Sequence, residues 1–135
     1  MAPADTIGTD TLTGVWHGQY DYPAAFEPVH FVATIIDVGG QISGTTHETT
    51  SHRGATTTRL ATISGNTGGG HVRFLKVYSP ASEEFQDVIY DGELNSDRTE
   101  ISGEWMIPGE WQGRFLMIRS RSEAKARSRK KAVDA

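Results

Sequence analysis

Two ionisable side chains stand inside runs that otherwise alternate β-branched, aromatic and small residues: Glu48 in "QISGTTHE" and Lys76 in "HVRFLKVY". A carboxylate and an ammonium brought together out of water can exchange a proton with a substrate, grip opposite ends of a polar ligand, or neutralise each other as an internal ion pair. Four tyrosines and a tryptophan occur in similar runs: Tyr20, Tyr22, Tyr78, Tyr90 and Trp105. Such rings can form a stacking cage, and they are also ordinary core filling.

The other chemistry-bearing types are less suggestive. His47 and His52 flank Glu48, but strand alternation sends His47 and Glu48 to opposite faces, and His17, His30 and His71 lack ligand spacing. The sequence "GNTGGGH" has no Lys-Ser/Thr after it and no helix to follow, so it is not a phosphate loop. With no cysteine there is no disulfide framework and no thiolate chemistry. No metal and no cofactor are expected.

The elements that must carry these residues are strands. Period-two patterning predicts strands over 13–22, 29–38, 41–49, 58–66, 71–79, 86–95, 99–107 and 112–120. Turn residues separate them: Gly39-Gly40, Gly68-Gly69-Gly70, Asn95-Ser96-Asp97 and Pro108-Gly109. The tripeptide Ile-Ser-Gly occurs at Ile42, Ile63 and Ile101, spacings of 21 and 38 residues that define no solenoid. Glycines Gly18, Gly44, Gly65, Gly92, Gly103 and Gly113 each interrupt a different strand. A sheet that curls until its edges meet needs such relief in strand after strand, and closure removes the exposed edges of an open meander. The fold class expected is all-β: an eight-stranded antiparallel up-and-down barrel over residues 12–120, with an N-terminal arm at 1–11 and a basic tail at 121–135.

Meander connections alternate between the two ends of a barrel. Those after the first, third and fifth strands contain the longer segments "PAAFEP", "TSHRGATT" and "SPASEE", which marks their end as the mouth. With Trp16 inward, parity turns Gly18, Tyr20 and Tyr22 inward, then Ile42, Gly44, Thr46 and Glu48, then Val72, Phe74, Lys76 and Tyr78, then Val88, Tyr90, Ile101, Trp105, Phe115 and Met117. The candidate ligand-binding residues are Tyr20, Tyr22, Thr46, Glu48, Lys76, Tyr78, Tyr90, Trp105 and Phe115, with Glu48 and Lys76 toward the mouth. A barrel of this size holds one small organic molecule or is filled by side chains. Binding of such a molecule is the function expected; a lyase or isomerase using Glu48 or Lys76 with a tyrosine, and a filled structural barrel, are the alternatives.

Several segments resemble the calycin superfamily, above all its avidin/streptavidin-like branch. "GVW" at 14–16 is similar to the Gly-x-Trp that opens the first strand of those barrels. Arg119 matches the arginine that stacks on that tryptophan across the closed end, "GQISGTTHE" is similar to their third strand, and "GEWMI" to their seventh, which puts Trp105 at the ligand-facing tryptophan. The resemblance implies the barrel and not the ligand. Gly18 and Tyr22 stand where the biotin-binding asparagine and serine belong, Thr46 and Glu48 where a tyrosine and serine belong, Tyr78 for a tryptophan and Phe115 for an aspartate. A ureido group would be left without its hydrogen-bond partners.

Charge and composition bound the partners. Residues 119–135 carry seven of the 13 Lys and Arg against Glu123 and Asp134, a balance of +5, so a net charge of −4 leaves the rest at −9. No aromatic residue is interleaved with the tail's charges, and no nucleic-acid partner is expected. No apolar run is long enough to span a membrane, and the start "MAPADTIGTD" lacks the features of a secretory signal, so a cytoplasmic protein is expected. Leu75, Val77, Ile89, Leu116 and Ile118 face outward by parity, which predicts a homo-oligomer assembled through strands five, six and eight.

Overall fold

Alternation along the chain becomes eight strands: β1 (Gly14–Asp21), β2 (Val29–Val38), β3 (Gln41–His52), β4 (Ala55–Gly68), β5 (His71–Ser79), β6 (Val88–Leu94), β7 (Glu100–Ile107) and β8 (Trp111–Arg119). A computed structural model describes residues 11–22, 27–52, 54–79 and 86–120. Each strand pairs antiparallel with the next, and β8 returns to β1 from Trp16↔Arg119 to Asp21↔Arg114, closing the barrel. The tail at 121–135 and all of the arm but Thr11 lie outside the described residues. No helix among the described residues is long and apolar enough to cross a membrane.

Every ladder keeps a single register along its length. Taken together, the constant registers of the eight ladders offset the circuit from β1 back to β1 by ten residues. An even offset lets the inward set of β1 remain inward after one circuit, as the two-residue side-chain period requires. Trp16, Tyr20, Ile42, Thr46, Glu48, Val72, Phe74, Lys76, Tyr78, Val88, Tyr90, Ile101, Trp105, Phe115 and Met117 are accordingly buried. From β2 and β4 come Phe31, Ala33, Ile35, Ala61 and Ile63, and the core is completed by Leu12.

The recurring Ile-Ser-Gly now has a structural meaning. In the β3–β4 ladder the first two copies lie against each other, Ile42↔Gly65, Ser43↔Ser64 and Gly44↔Ile63. Isoleucine fills the barrel, serine faces water, and glycine lets the adjoining strand close in. A Cβ built at Gly44 would lie 2.0 Å from the Thr34 carbonyl oxygen, at Gly65 2.0 Å from that of Arg73, and at Gly103 2.1 Å from that of Asp91. Backbone of the neighbouring strand occupies the space a side chain would need, so the sheet can coil tightly.

Two of the tight turns follow their glycines. Gly39-Gly40 and Gly69-Gly70 all have positive φ, the geometry of a two-residue turn matched to strand twist. One expectation is corrected. Residues 50–57 are not a long loop, because the β3–β4 ladder continues to His52↔Ala55. Threonine-rich sequence favours extended backbone, and Gly54, at φ +80, serves the bend. Ala55 to Thr58 are exposed whichever way they point, so this ribbon projects past the barrel rim.

At the opposite end the barrel is plugged. The Arg119 guanidinium lies 5.1 Å from the Trp16 ring centroid and donates to the carbonyls of Thr11 (2.6 Å), Thr13 (2.9 Å) and Arg98 (3.3 Å). The indole N–H of Trp16 donates to the Leu12 carbonyl at 2.9 Å. Buried Asp37 accepts from the Leu12 and Gly40 amides at 2.9 and 3.0 Å. Residues 11–13 are thereby laced across the closed end.

Candidate functional site

Glu48 on β3 and Lys76 on β5 meet inside the barrel. Lys76 Nζ donates to Glu48 Oε1 at 2.7 Å, with the two side chains 1% and 3% exposed. Tyr20 donates to Glu48 Oε2 at 2.7 Å and Tyr78 donates to Oε1 at 3.0 Å. Lys76 also reaches the Tyr90 hydroxyl at 3.5 Å. The ammonium is further surrounded by rings, at 4.8 Å from the centroid of Tyr78, 4.9 Å from Tyr20, 5.2 Å from Phe31 and 5.6 Å from Tyr90. A buried charge pair persists only when hydrogen bonds and oriented dipoles replace the water it lost, and this one has both.

Burial dictates protonation here. It pushes the Tyr20 and Tyr78 hydroxyls far above the ordinary phenol range, reinforced by the Glu48 carboxylate and, for Tyr20, by Tyr78. Tyr90 moves the same way, again chiefly through burial. Burial lowers the Lys76 pKa, and the attraction of Glu48 opposes that shift. The phenols above the pair are neutral throughout the physiological range.

A cavity of about 260 Å³ opens above this cluster, lined by Tyr20, Tyr22, Tyr78, Gln86, Val88, Tyr90, Trp105, Ile107 and Trp111. It lies where β1, β5 and β7 end and β6 and β8 begin, the mouth end of the barrel. Tyr22 stands nearly perpendicular to three of the cavity's other rings. Tyr22 meets Tyr20, Trp105 and Trp111 at interplanar angles of 74°, 80° and 81°, with centroids 5.7–5.8 Å apart. Trp105 is pinned by its indole N–H, which donates to the Asp21 carbonyl at 2.9 Å. Gly113 makes room for it, since a Cβ there would lie 2.6 Å from the Trp105 ring nitrogen.

The nine residues singled out from sequence thus divide into two groups. Tyr20, Tyr22, Tyr78, Tyr90 and Trp105 line the cavity. Thr46, Glu48, Lys76 and Phe115 are buried without lining it. Phe115 packs its ring on Tyr90, 4.8 Å between centroids, and Tyr90 is stacked at 4.9 Å on Phe74. The Thr46 hydroxyl is buried without a hydrogen-bond partner among the described residues. Phenol rings therefore separate the ion pair from the cavity, where sequence had placed Glu48 and Lys76 toward the mouth.

Gln86, Val88, Ile107 and Trp111 line the cavity and were not among the nine, although parity turns Val88 inward. Ile107 continues the inward parity of Ile101 and Trp105, a signal that was present; Gln86 precedes β6 and carries no such signal. No group of three His, Asp or Glu among the described residues is placed to hold a metal ion. Comparison of the chain with family models, with curated proteins and with solved structures finds no match.

Proposed function

We propose that this barrel, calycin-like in build, binds a small organic molecule among the aromatic rings of its open end. The cavity carries the proposal: six of its nine lining residues are Tyr or Trp, one end is open, and the far end of the barrel is plugged. Rigid rings offer large contact area at little cost in side-chain entropy, and a few polar groups then orient the ligand. A volume of about 260 Å³ restricts the ligand to a small one. Glu48 and Lys76 hold the phenols in place from beneath. An acid–base enzyme built on that pair would need one of the two at the cavity surface, and neither lines it.

A thermal-shift screen of small metabolites tests the proposal. A ligand at one hundred times its Kd should raise stability by about 2.7 kcal/mol, and Trp111→Ala should reduce the shift. A broad library in which no compound shifts the midpoint would overturn it.

We also propose that barrels associate through the outer face of β5, β6 and β8. Leu75 and Ile118 are exposed there, and Leu116, Ile89 and Val77 are half-buried beside them. Apolar positions on a face that water would otherwise cover support contact with a second sheet.

A further inference from the structure

We propose that the ligand is a small organic cation, such as a methylated ammonium, held by the ring faces of the cavity; this rests on the cavity being a binding site. Three observations converge. The first is what the walls contain: Tyr20, Tyr22, Tyr78, Tyr90, Trp105 and Trp111, with no charged side chain among the described residues that line the cavity. A carboxylate or phosphate ligand would meet no cationic side chain among the described lining residues. Moreover, Tyr20 and Tyr78 donate their hydroxyl protons to Glu48, so neither proton is left for an anion in the cavity. Aromatic faces and phenol oxygens both carry partial negative charge, and both suit a positive guest.

The second observation is that the barrel already houses one ammonium in this manner. Lys76 Nζ lies within 5.6 Å of four ring centroids, and three of those rings, Tyr20, Tyr78 and Tyr90, form the boundary with the cavity. Glu48 neutralises that ammonium at 2.7 Å, so the pair adds no net charge beneath the guest. The rings of Trp105 and Trp111, each near-perpendicular to Tyr22 at the mouth, are with it the walls left for a second cation.

The third is the rim. Among the described residues, Asp21, Glu27, Asp87 and Glu110 are exposed at strand ends and connections on the mouth side, against exposed Arg114 and half-buried Arg59. A surplus of carboxylates around a cleft with low-dielectric walls concentrates cations there and repels anions. Wall, interior precedent and rim favour the same sign of charge.

Choline and its uncharged isostere 3,3-dimethylbutan-1-ol form the test, since they share shape and differ in charge. Isothermal titration of the full chain should show choline binding roughly 2- to 30-fold more tightly than the isostere. Trp111→Leu, at a residue 44% exposed and outside the core, should weaken choline more than the isostere. Equal affinities, or an isostere that binds better, would overturn the cation proposal and leave the binding cavity standing. Failure of both probes at millimolar concentration, with hits among neutral or anionic compounds in the wider screen, would overturn it as well. Failure of every compound would remove the cavity reading itself.

Discussion

Lys76 Nζ sits 2.7 Å from Glu48 Oε1 with both side chains sealed from water, and two phenols close over the carboxylate. Removing one partner strands the other. Lys76→Met should therefore cost about 3–5 kcal/mol of stability, whereas Lys76→Met combined with Glu48→Gln should recover most of it, because an uncharged pair needs no counter-ion. Urea unfolding of the three chains checks this. A double variant no more stable than the single one would mean that the pair does more than neutralise itself.

Stability should fall as pH rises above about 10. Tyr20, Tyr78 and Tyr90 have folded-state pKa values raised above the ordinary phenol value of 10.0, so their contribution is full below that pH and is lost as the unfolded chain begins to ionise. Lys76 acts in the opposite sense, since its lowered pKa makes the folded form release its proton first and stability gain up to its ordinary value of 10.5. Above that value Lys76 adds no further change, and the tyrosines alone set the slope. Tyrosinate absorbance from these rings should appear only with unfolding, and ionisation of Tyr20, Tyr78 or Tyr90 below the transition would contradict it.

At the plugged end, Arg119→Ala should lower stability by about 0.5–2 kcal/mol through lost cation–π contact with Trp16, and further through its bonds to the Thr11 and Thr13 carbonyls. An unchanged unfolding midpoint would exclude an energetic role for the plug.

Gly44→Ala and Gly65→Ala should each cost about 1–3 kcal/mol or more, because the added carbon meets neighbouring backbone rather than a side chain that can swing away. Gly68→Ala is the control. No atom lies within 4 Å of its Cβ, and its φ is not positive, so that change should be close to neutral.

Sedimentation at micromolar concentration should reveal an oligomer, and Leu75→Lys, on the exposed outer face of β5, should shift it toward monomer. A monomer at every concentration would require another account of the outward apolar residues.

Period-two alternation let the sequence by itself determine eight strands and their inward faces, while the plug that pairs Trp16 with Arg119 was implied only by the resemblance to avidin-like barrels. One strand face is apolar wherever a sheet covers a core, and unbroken ladders carry that parity from strand to strand without slippage. The strand glycines were legible for the same reason, as gaps in an otherwise apolar row. Depth was decided only by the tertiary structure. Parity states that Glu48 and Lys76 point inward, but the stagger between strands sets which residues share a level, and stagger is a property of the closed ladder, not of any one run. It brings Tyr20 and Tyr78 to the carboxylate, leaves Lys76 below the rings, and makes phenols and indoles the cavity's aromatic wall. The reach of the β3–β4 ribbon was decided in the same way, since partner backbone turns the threonines of 50–57 from loop into ladder.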